Sequence, residues 1–167
     1  RREARARHEV LGGLGITQER VGHRDVSGRR LRGRDEWDTP DERNRIAGVF
    51  VARLRQGMRL QTDPTIIYGL GPRFDGNLRR AHLERDGPYN TYTRAGLPPT
   101  PIALPGRQSL LAAVQPDERG ELYFVATGLG DGRHSFSNTL QEHNEAVRQY
   151  LVRYRQQNRA SNDTPGS

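Results

Sequence analysis

Three polar side chains, Gln61, Thr62 and Asp63, stand in a row directly before Pro64, in a segment punctuated by proline and glycine. Pro64 fixes its own φ and disfavours the helical region for Asp63, so the pattern predicts an extended or turn geometry that holds these donors and acceptors in place. Such a segment is typical of a binding loop. A capped turn, in which Asp63 hydrogen-bonds its own backbone, is the alternative interpretation.

A second group of polar and aromatic residues follows at Tyr89, Asn90, Thr91 and Tyr92. Two tyrosines that flank hydrogen-bonding groups offer flat apolar faces beside donors and acceptors, which is the chemistry of a sugar-binding wall. The same residues could equally be core aromatics at a turn. His143 lies in a helical stripe of apolar residues, so its position favours packing or capping over metal binding.

The composition excludes several classes of protein. A chain of 167 residues without cysteine has room for one domain and can form neither a disulfide nor a thiolate metal site, and we predict no cofactor or metal. All 27 basic residues are arginine and give a net charge of +7. They are scattered rather than clustered with aromatic residues, which does not favour nucleic-acid binding. No apolar run approaches the roughly 18 residues of a membrane span.

A helix is predicted from Pro40, with Thr39 as its N-cap and Gly57 at its end. Asp41 and Glu42 would complement the helix dipole in its first turn. Its apolar face is formed by Ile46, Val49, Phe50 and Leu54.

Turn signals and periodicity divide the rest of the chain into short elements. They predict a strand at 65–68, a helical turn at 79–83, a helix at 108–114, a hairpin of 121–126 with 133–136, and a helix through Leu140, His143, Val147, Tyr150, Leu151 and Tyr154. We therefore expect an α+β fold, with helices packed on a small mixed sheet in a single domain over residues 38–156. Residues 1–37 are rich in arginine and glycine without a clear period, and residues 157–167 are polar, so we expect both segments to be poorly ordered.

From Pro40 to Asn144 the chain resembles the catalytic domain of the MltG (YceG-like) endolytic murein transglycosylases. The shared motifs occur in order and at compatible spacings: Asp41-Glu-Arg43, Ile46-Ala-Gly-Val-Phe50, Arg53-Leu54, Gly57-Met-Arg-Leu-Gln-Thr-Asp-Pro-Thr65, Tyr68-Gly69, Tyr89-Asn-Thr-Tyr92, Gly96-Leu-Pro-Pro99, Tyr123-Phe-Val125 and the residues 136–144.

This resemblance implies lytic cleavage of the β-1,4 bond between N-acetylmuramic acid and N-acetylglucosamine, which leaves a 1,6-anhydro product. One carboxyl group with a raised pKa would protonate the glycosidic oxygen and then accept the proton of the sugar's own 6-hydroxyl. Water is not the nucleophile, so a second carboxylate is dispensable. The resemblance also implies glycan-binding roles for Gln61, Thr62, Asp63, Tyr68, Asn90, Thr91, Tyr92, Asn138 and Asn144.

The chain departs from the family at the catalytic position. In relatives the catalytic glutamate stands before the first helix, in a motif similar to Ala-Ser-(Ile/Val)-Val-Glu-Lys-Glu-Thr. Aligned without gaps, Arg34 falls on this catalytic glutamate and Glu36 on the second glutamate of the motif. Glu36 is therefore the remaining candidate acid, and we expect impaired activity.

A shift of reading frame would account for this departure. Residues 30–34 and the first base of Asp35 can be written CGC CTC CGT GGT CGA G, and read one base later this gives GCC TCC GTG GTC GAG. The second reading encodes Ala-Ser-Val-Val-Glu, the motif that is absent. We infer that residues 1 to about 37 are out of frame and that the frame is restored before Pro40.

Two other classes of function compete with the one that this resemblance implies. An aminodeoxychorismate lyase would bind pyridoxal phosphate through a lysine Schiff base, and the chain contains no lysine. A non-catalytic peptidoglycan-binding module, which keeps the cleft without the acid, is the stronger alternative. The resemblance further implies glycan strands and peptidoglycan synthases as partners. It also implies a membrane helix upstream of Arg1 that would hold the domain outside the cytoplasmic (inner) membrane.

Resequencing the coding DNA across residues 1–40 tests the frame hypothesis. We expect a compensating pair of single-base changes that restores the glutamate at position 34. An unchanged read would contradict a sequencing error and would indicate a genuine lesion in the gene.

Overall fold

The computed structural model describes residues 40–162, with side chains over 41–156. A 3-10 turn at Pro40–Glu42 leads into helix α1 (Arg43–Arg55), and helices α2 (Asp63–Leu70), α3 (Arg80–Glu84) and α4 (Arg107–Val114) follow, with a further 3-10 turn at Gly71–Arg73. A hairpin of β1 (Tyr123–Ala126) and β2 (His134–Ser137) precedes the long helix α5 (Leu140–Asn162). The predicted α+β class is confirmed. Across the described residues, no helix has the length and apolarity needed to cross a membrane.

Helix α1 carries the centre of the core and ends as predicted at Gly57. The amide of Gly57 donates to the carbonyl of Leu54 and that of Met58 to the carbonyl of Arg53, which is a Schellman motif. This motif requires a left-handed residue, and Gly57 has φ of 67°. The chain therefore reverses direction sharply into the segment that holds Gln61.

The core lies between α1, α4 and the loop after α1. Its fully buried members are Ile46, Ala47 and Phe50 of α1, Leu60, and Ala112 and Ala113 of α4. Leu54, Leu97, Phe124 and Phe136 pack against this cluster. The small alanines of α4 allow that helix to approach α1 closely. The predicted apolar face of α1 is confirmed, because Ile46, Val49 and Phe50 are buried and Leu54 packs against the cluster.

The sheet is smaller than predicted and is antiparallel. Strands β1 and β2 pair with Phe124 opposite Phe136 and Tyr123 opposite Ser137. Phe124 also meets Phe50 of α1 edge to face, with ring centroids 5.7 Å apart. The prediction of a mixed sheet was wrong because its third strand, at residues 65–68, is helical.

Helix α2 replaces that predicted strand. Three consecutive β-branched residues favoured a strand, but Asp63 and Pro64 occupy the first turn of a helix, where a missing amide costs nothing. Thr65 and Ile66 are buried on its inner face, so tertiary packing overrides local propensity. The extended residue is Thr62, one position earlier than predicted, since Asp63 already belongs to the helix.

Glu42 was predicted to complement the helix dipole, and the structure gives it a second role. Its carboxylate accepts hydrogen bonds from the backbone amide of His134 at 3.2 Å and pairs with the His134 Nδ1 atom at 2.9 Å. Both side chains are largely buried. The pair therefore joins the start of α1 to β2, a contact across ninety-two positions of sequence.

Helix α5 begins at a capping box. The Thr139 hydroxyl accepts the amide of Glu142, while the Glu142 carboxylate accepts the amides of Asn138 and Thr139. The helix extends to Asn162, past residue 157, at which the poorly ordered tail was predicted to begin. Residues 1–39 and 163–167 lie outside the described residues, so the predicted domain boundaries stay predictions.

The close approach of α1 to the loop after α4 supplies a stability test. A Cβ atom added at Gly48 would lie 2.1 Å from the carbonyl oxygen of Asp117. Gly48→Ala should therefore lower the free energy of unfolding by about 1–3 kcal/mol, although alanine is the better helix former. Urea denaturation would measure it.

Gly87→Ala is the matched control, because no atom lies within 4 Å of its added Cβ and its φ lies outside the left-handed region. We expect a change within about 0.5 kcal/mol. Equal stability of the two variants would contradict the packing of α1 described above.

Candidate functional site

A cleft of about 540 Å³ opens between the end of α1, the loop before α2, strand β1 and the first turns of α5. Its wall combines apolar and polar side chains. The polar members are Arg53, Gln61, Thr62, Asp63, Tyr92, Tyr123, His143 and Asn144. Four separate stretches of sequence therefore meet in one concave surface: residues 50–63, Tyr92, residues 123–125 and residues 140–147.

The loop before α2 is fixed by backbone bonds to the Tyr89–Tyr92 turn. The Gln61 amide donates to the carbonyl of Thr91 at 3.1 Å, and the Thr62 amide donates to the Thr91 hydroxyl at 3.1 Å. That hydroxyl also lies 2.9 Å from the Thr65 hydroxyl. Gln61 has φ of 53°, a left-handed conformation that a residue with a side chain rarely adopts. The Gln61 side chain lines the cleft, and its Oε1 atom accepts a hydrogen bond from Arg53.

Asn90 holds the turn together from inside. Its Nδ2 atom donates to the carbonyls of His82, Leu83 and Arg85, and its Oδ1 atom accepts the amide of Tyr92 at 2.8 Å. Asn90 and Thr91 are 5% and 3% exposed, so both position the cleft wall instead of lining it.

Arg53 occupies the floor of the cleft and is 7% exposed. Its Nε atom donates to the carbonyl of Leu122 at 2.6 Å, and its Nη1 atom donates to the carbonyls of Arg59 and Leu60. The guanidinium lies 4.9 Å from the ring centroid of Tyr123, a cation–π contact. Burial lowers the pKa of Arg53 from its ordinary value, but arginine stays charged in proteins.

Tyr92 and Asp63 form the outer wall. The Tyr92 hydroxyl donates to the Asp63 carboxylate at 2.6 Å. Burial, and after it this hydrogen bond, raises the pKa of Tyr92 well above the ordinary tyrosine value. Tyr92 is therefore a neutral hydrogen-bond donor whose proton is held toward Asp63.

His143 stacks on Tyr123 on the α5 side of the cleft, with ring centroids 5.2 Å apart and planes 22° from parallel. Its Nδ1 atom is buried and has no hydrogen-bond partner among the described residues. Burial, together with the charge of Arg53, lowers the pKa of His143, so the imidazole is neutral at physiological pH.

Residues 34–149 match the family described as YceG-like. The chain belongs to the YceG-like family. Residues 41–147, which carry the shared motifs and the cleft, lie inside this match, and so do Arg34 and Glu36.

Relatives within the YceG-like family are similar over the same region. A protein of Bacillus subtilis named endolytic murein transglycosylase is 46% identical over 110 residues, which cover 66% of this chain and 30% of that protein. A protein of the same name from Streptococcus pneumoniae R6 is 30% identical over 116 residues, which cover 66% of this chain and 21% of that protein. The chain thus spans less than a third of the length of these curated relatives. A crystal structure of a YceG-like protein from Listeria monocytogenes aligns with a TM-score of 0.58 and 36% identity, over 81% of this chain and 38% of that chain.

The structure brings together five of the nine predicted glycan-binding residues in the YceG-like cleft: Gln61, Thr62, Asp63, Tyr92 and Asn144. Tyr68 lies outside the cleft lining, 47% exposed, with its ring packed on Tyr89. Asn138 is exposed at the start of α5. Glu36, the catalytic candidate, and Arg34, which aligns with the family's catalytic glutamate, lie outside the described residues. Among the described residues, no group of three or more histidines and carboxylates is placed to hold a metal ion.

Sequence reasoning did not assign Arg53, Tyr123 or His143 to the cleft. A signal was present for two of them, since Arg53 continues the stripe of Phe50 on α1 and His143 continues that of Leu140 on α5. A polar residue on an apolar helical face marks either a satisfied core position or a site. Only the structure distinguishes these outcomes.

The buried Tyr92 hydroxyl predicts a late ionisation. Tyrosine ordinarily ionises near pH 10, and Tyr92→Phe should remove a tyrosinate that forms above this range in an ultraviolet titration of the folded protein. The pKa of Tyr92 is higher in the folded than in the unfolded protein. The contribution of its neutral hydroxyl to the free energy of unfolding is therefore complete below about pH 10 and is lost as the pH rises further.

The matched control is Tyr154→Phe on α5, whose ring is 49% exposed. That variant also removes one tyrosine but should keep the late ionisation. If Tyr92→Phe leaves the alkaline end of the titration unchanged, the buried position of Tyr92 beside Asp63 is contradicted.

Proposed function

We propose that this chain is the cleft-bearing part of a peptidoglycan lytic transglycosylase, which cuts the β-1,4 bond between N-acetylmuramic acid and N-acetylglucosamine to give a 1,6-anhydro end. The observation that carries the proposal is the convergence of the family's own motifs, Gln61-Thr-Asp63, Tyr92 and Asn144, on one cleft. Membership of the YceG-like family and the names of the relatives support it.

The cleft chemistry supports binding of an uncharged glycan. Gln61 and Asn144 supply amide donors and acceptors, while Tyr92 and Tyr123 supply aromatic surface beside them. Asp63 is the one carboxylate among the described residues of the lining. The Asp63 carboxylate already accepts a hydrogen bond from the Tyr92 hydroxyl. Asp63 is therefore better suited to accept hydrogen bonds from sugar hydroxyls than to donate a proton.

The proton donor of the reaction is therefore expected at the position of Arg34, where the family has its glutamate. Arginine is always protonated at working pH and cannot act as a carboxylic acid. Loss of a general acid costs roughly 10² to 10⁴ in rate. We propose that the chain with Arg34 binds glycan and cleaves it poorly, with Glu36 as the candidate substitute in the motif.

A non-catalytic glycan-binding module is the second candidate function. The observation that favours it is that five of the nine predicted glycan-binding residues lie in the described lining of the cleft while position 34 carries arginine. In either case we propose, from the family resemblance alone, that the domain acts on the outer side of the cytoplasmic membrane, held by an anchor upstream of Arg1, and works beside peptidoglycan synthases.

One experiment on purified sacculi separates these functions through two readouts, co-sedimentation and release of anhydro-muropeptides. The chain is compared with a variant that carries Arg30→Ala, Leu31→Ser, Arg32→Val, Gly33→Val and Arg34→Glu. We expect both to sediment with sacculi in 1 M salt, where surface charges are screened beyond about 3 Å. Product release should rise at least about 100-fold in the variant, because the acid is restored.

Cleft variants provide the specificity control. Gln61→Gly removes the side chain without opposing the left-handed backbone. Gln61→Gly and Tyr92→Ala, made as two separate variants, should each abolish sedimentation in high salt. Tyr154→Ala, outside the cleft, should sediment as the parent chain does. Efficient product release by the unaltered chain would contradict the impairment, and sedimentation unaffected by both cleft variants would contradict the glycan cleft. If the restored variant binds but never cleaves, the binding module is the better description.

A further inference from the structure

The guanidinium of Arg53 has one nitrogen atom, Nη2, without a hydrogen-bond partner among the described residues. Among the described residues, Arg53 makes its hydrogen bonds through Nε and Nη1, and Nη2 does not belong to the buried unpartnered atoms. Nη2 is therefore accessible from the cleft that Arg53 lines. A side chain that is 93% buried thus keeps two N–H groups for a ligand, since its exposed fraction is 7%.

His143 presents a second donor to the same cleft. Its Nδ1 atom is sealed from solvent and has no acceptor among the described residues, so a proton there would be left unsatisfied. The neutral ring consequently carries its proton on Nε2. Stacking on Tyr123, which Arg53 also contacts, fixes the ring in place.

The surroundings of these donors select the group that they bind. Apolar side chains, among them Phe50, Leu60, Phe124 and Val147, line the same cleft. The charges of Arg53 and Asp63 balance each other within the described lining, which favours a neutral ligand over a carboxylate. An acceptor oxygen next to a small apolar group, without net charge, describes an acetamido group.

We propose that Arg53 and His143 form a subsite for the 2-acetamido group of an N-acetylated sugar, with both side chains donating to its carbonyl oxygen and the apolar wall receiving its methyl group. This inference rests on the proposed function and assigns the recognition of one substituent to two residues. It makes His143 a specificity-determining residue that contacts the glycan, and Arg53 both a structural and a binding residue.

Ligand comparison with the unaltered 167-residue chain is the first test. Chitotetraose and cellotetraose share the neutral β-1,4 backbone, but only chitotetraose carries acetamido groups. We expect chitotetraose to bind about tenfold or more tightly in calorimetry, since the subsite supplies two hydrogen bonds and an apolar contact. Equal affinity for the two oligomers overturns the proposal without any variant.

His143→Phe is the second test, because phenylalanine keeps the stack on Tyr123 and removes only the N–H donor. It should weaken chitotetraose binding about three- to tenfold and leave cellotetraose binding unchanged. Tyr154→Phe removes one hydrogen-bond donor outside the cleft, from a ring that is 49% exposed, and should behave as the parent chain. The Arg53 position is not varied, since its bonds to backbone carbonyls also hold the fold.

The outcomes separate this inference from the proposed function. Binding of sacculi and of chitotetraose that His143→Phe leaves intact, with the variant folded by circular dichroism, overturns the acetamido subsite alone. If the parent chain binds neither of the two oligomers and does not bind sacculi, the proposed function and the subsite are overturned together. Should His143→Phe not fold, the change of the imidazole Nε2 signal in the parent chain on adding chitotetraose decides, and an unchanged signal overturns the proposal.

Discussion

Arg53 carries a guanidinium from the last turns of α1 into the protein interior, where it donates to the carbonyls of Leu122, Arg59 and Leu60. These carbonyls belong to the segment entering β1 and to the loop before α2. One side chain therefore sets the distance between the two walls of the cleft. Loss of its donors would leave buried carbonyl oxygens unsatisfied, at about 1–3 kcal/mol each. Hydrogen bonds from a charged donor are also stronger than neutral ones.

The remaining wall is built by polar residues that turn inward. Asn90 draws three carbonyls around its amide, and Thr91 bonds the Thr62 amide and the Thr65 hydroxyl. The left-handed backbone of Gln61 is unfavourable by itself, and the hydrogen bonds of the neighbouring residues hold it in this conformation. The residues that look most like ligands in the sequence are thus partly those that shape the site, and a smaller set faces the cleft.

Charge is distributed in two different ways on this protein. The excess of arginine gives the chain a net charge of +7, and its surface ion pairs, such as Arg94 with Asp86, are exposed and contribute little to stability. The described lining of the cleft is electrically balanced instead. A long-range attraction to anionic polymers would raise the rate of encounter, whereas selection of a ligand depends on the short-range donors and aromatic faces of the cleft.

The sequence by itself determined the elements with strong local signals. Helix α1 with its glycine stop, the hairpin of β1 and β2, helix α4 and the stripe of α5 follow from periodicity and turn residues, and the ordered motifs indicated the family. Tertiary structure alone decided that residues 65–68 are helical, because burial of Thr65 and Ile66 outweighs their β-branched preference. It also decided which polar residues face the cleft. Asn90 and Tyr92 are two positions apart, yet one bonds carbonyls inside the turn while the other meets Asp63, and such directions depend on contacts between distant segments that no local pattern encodes.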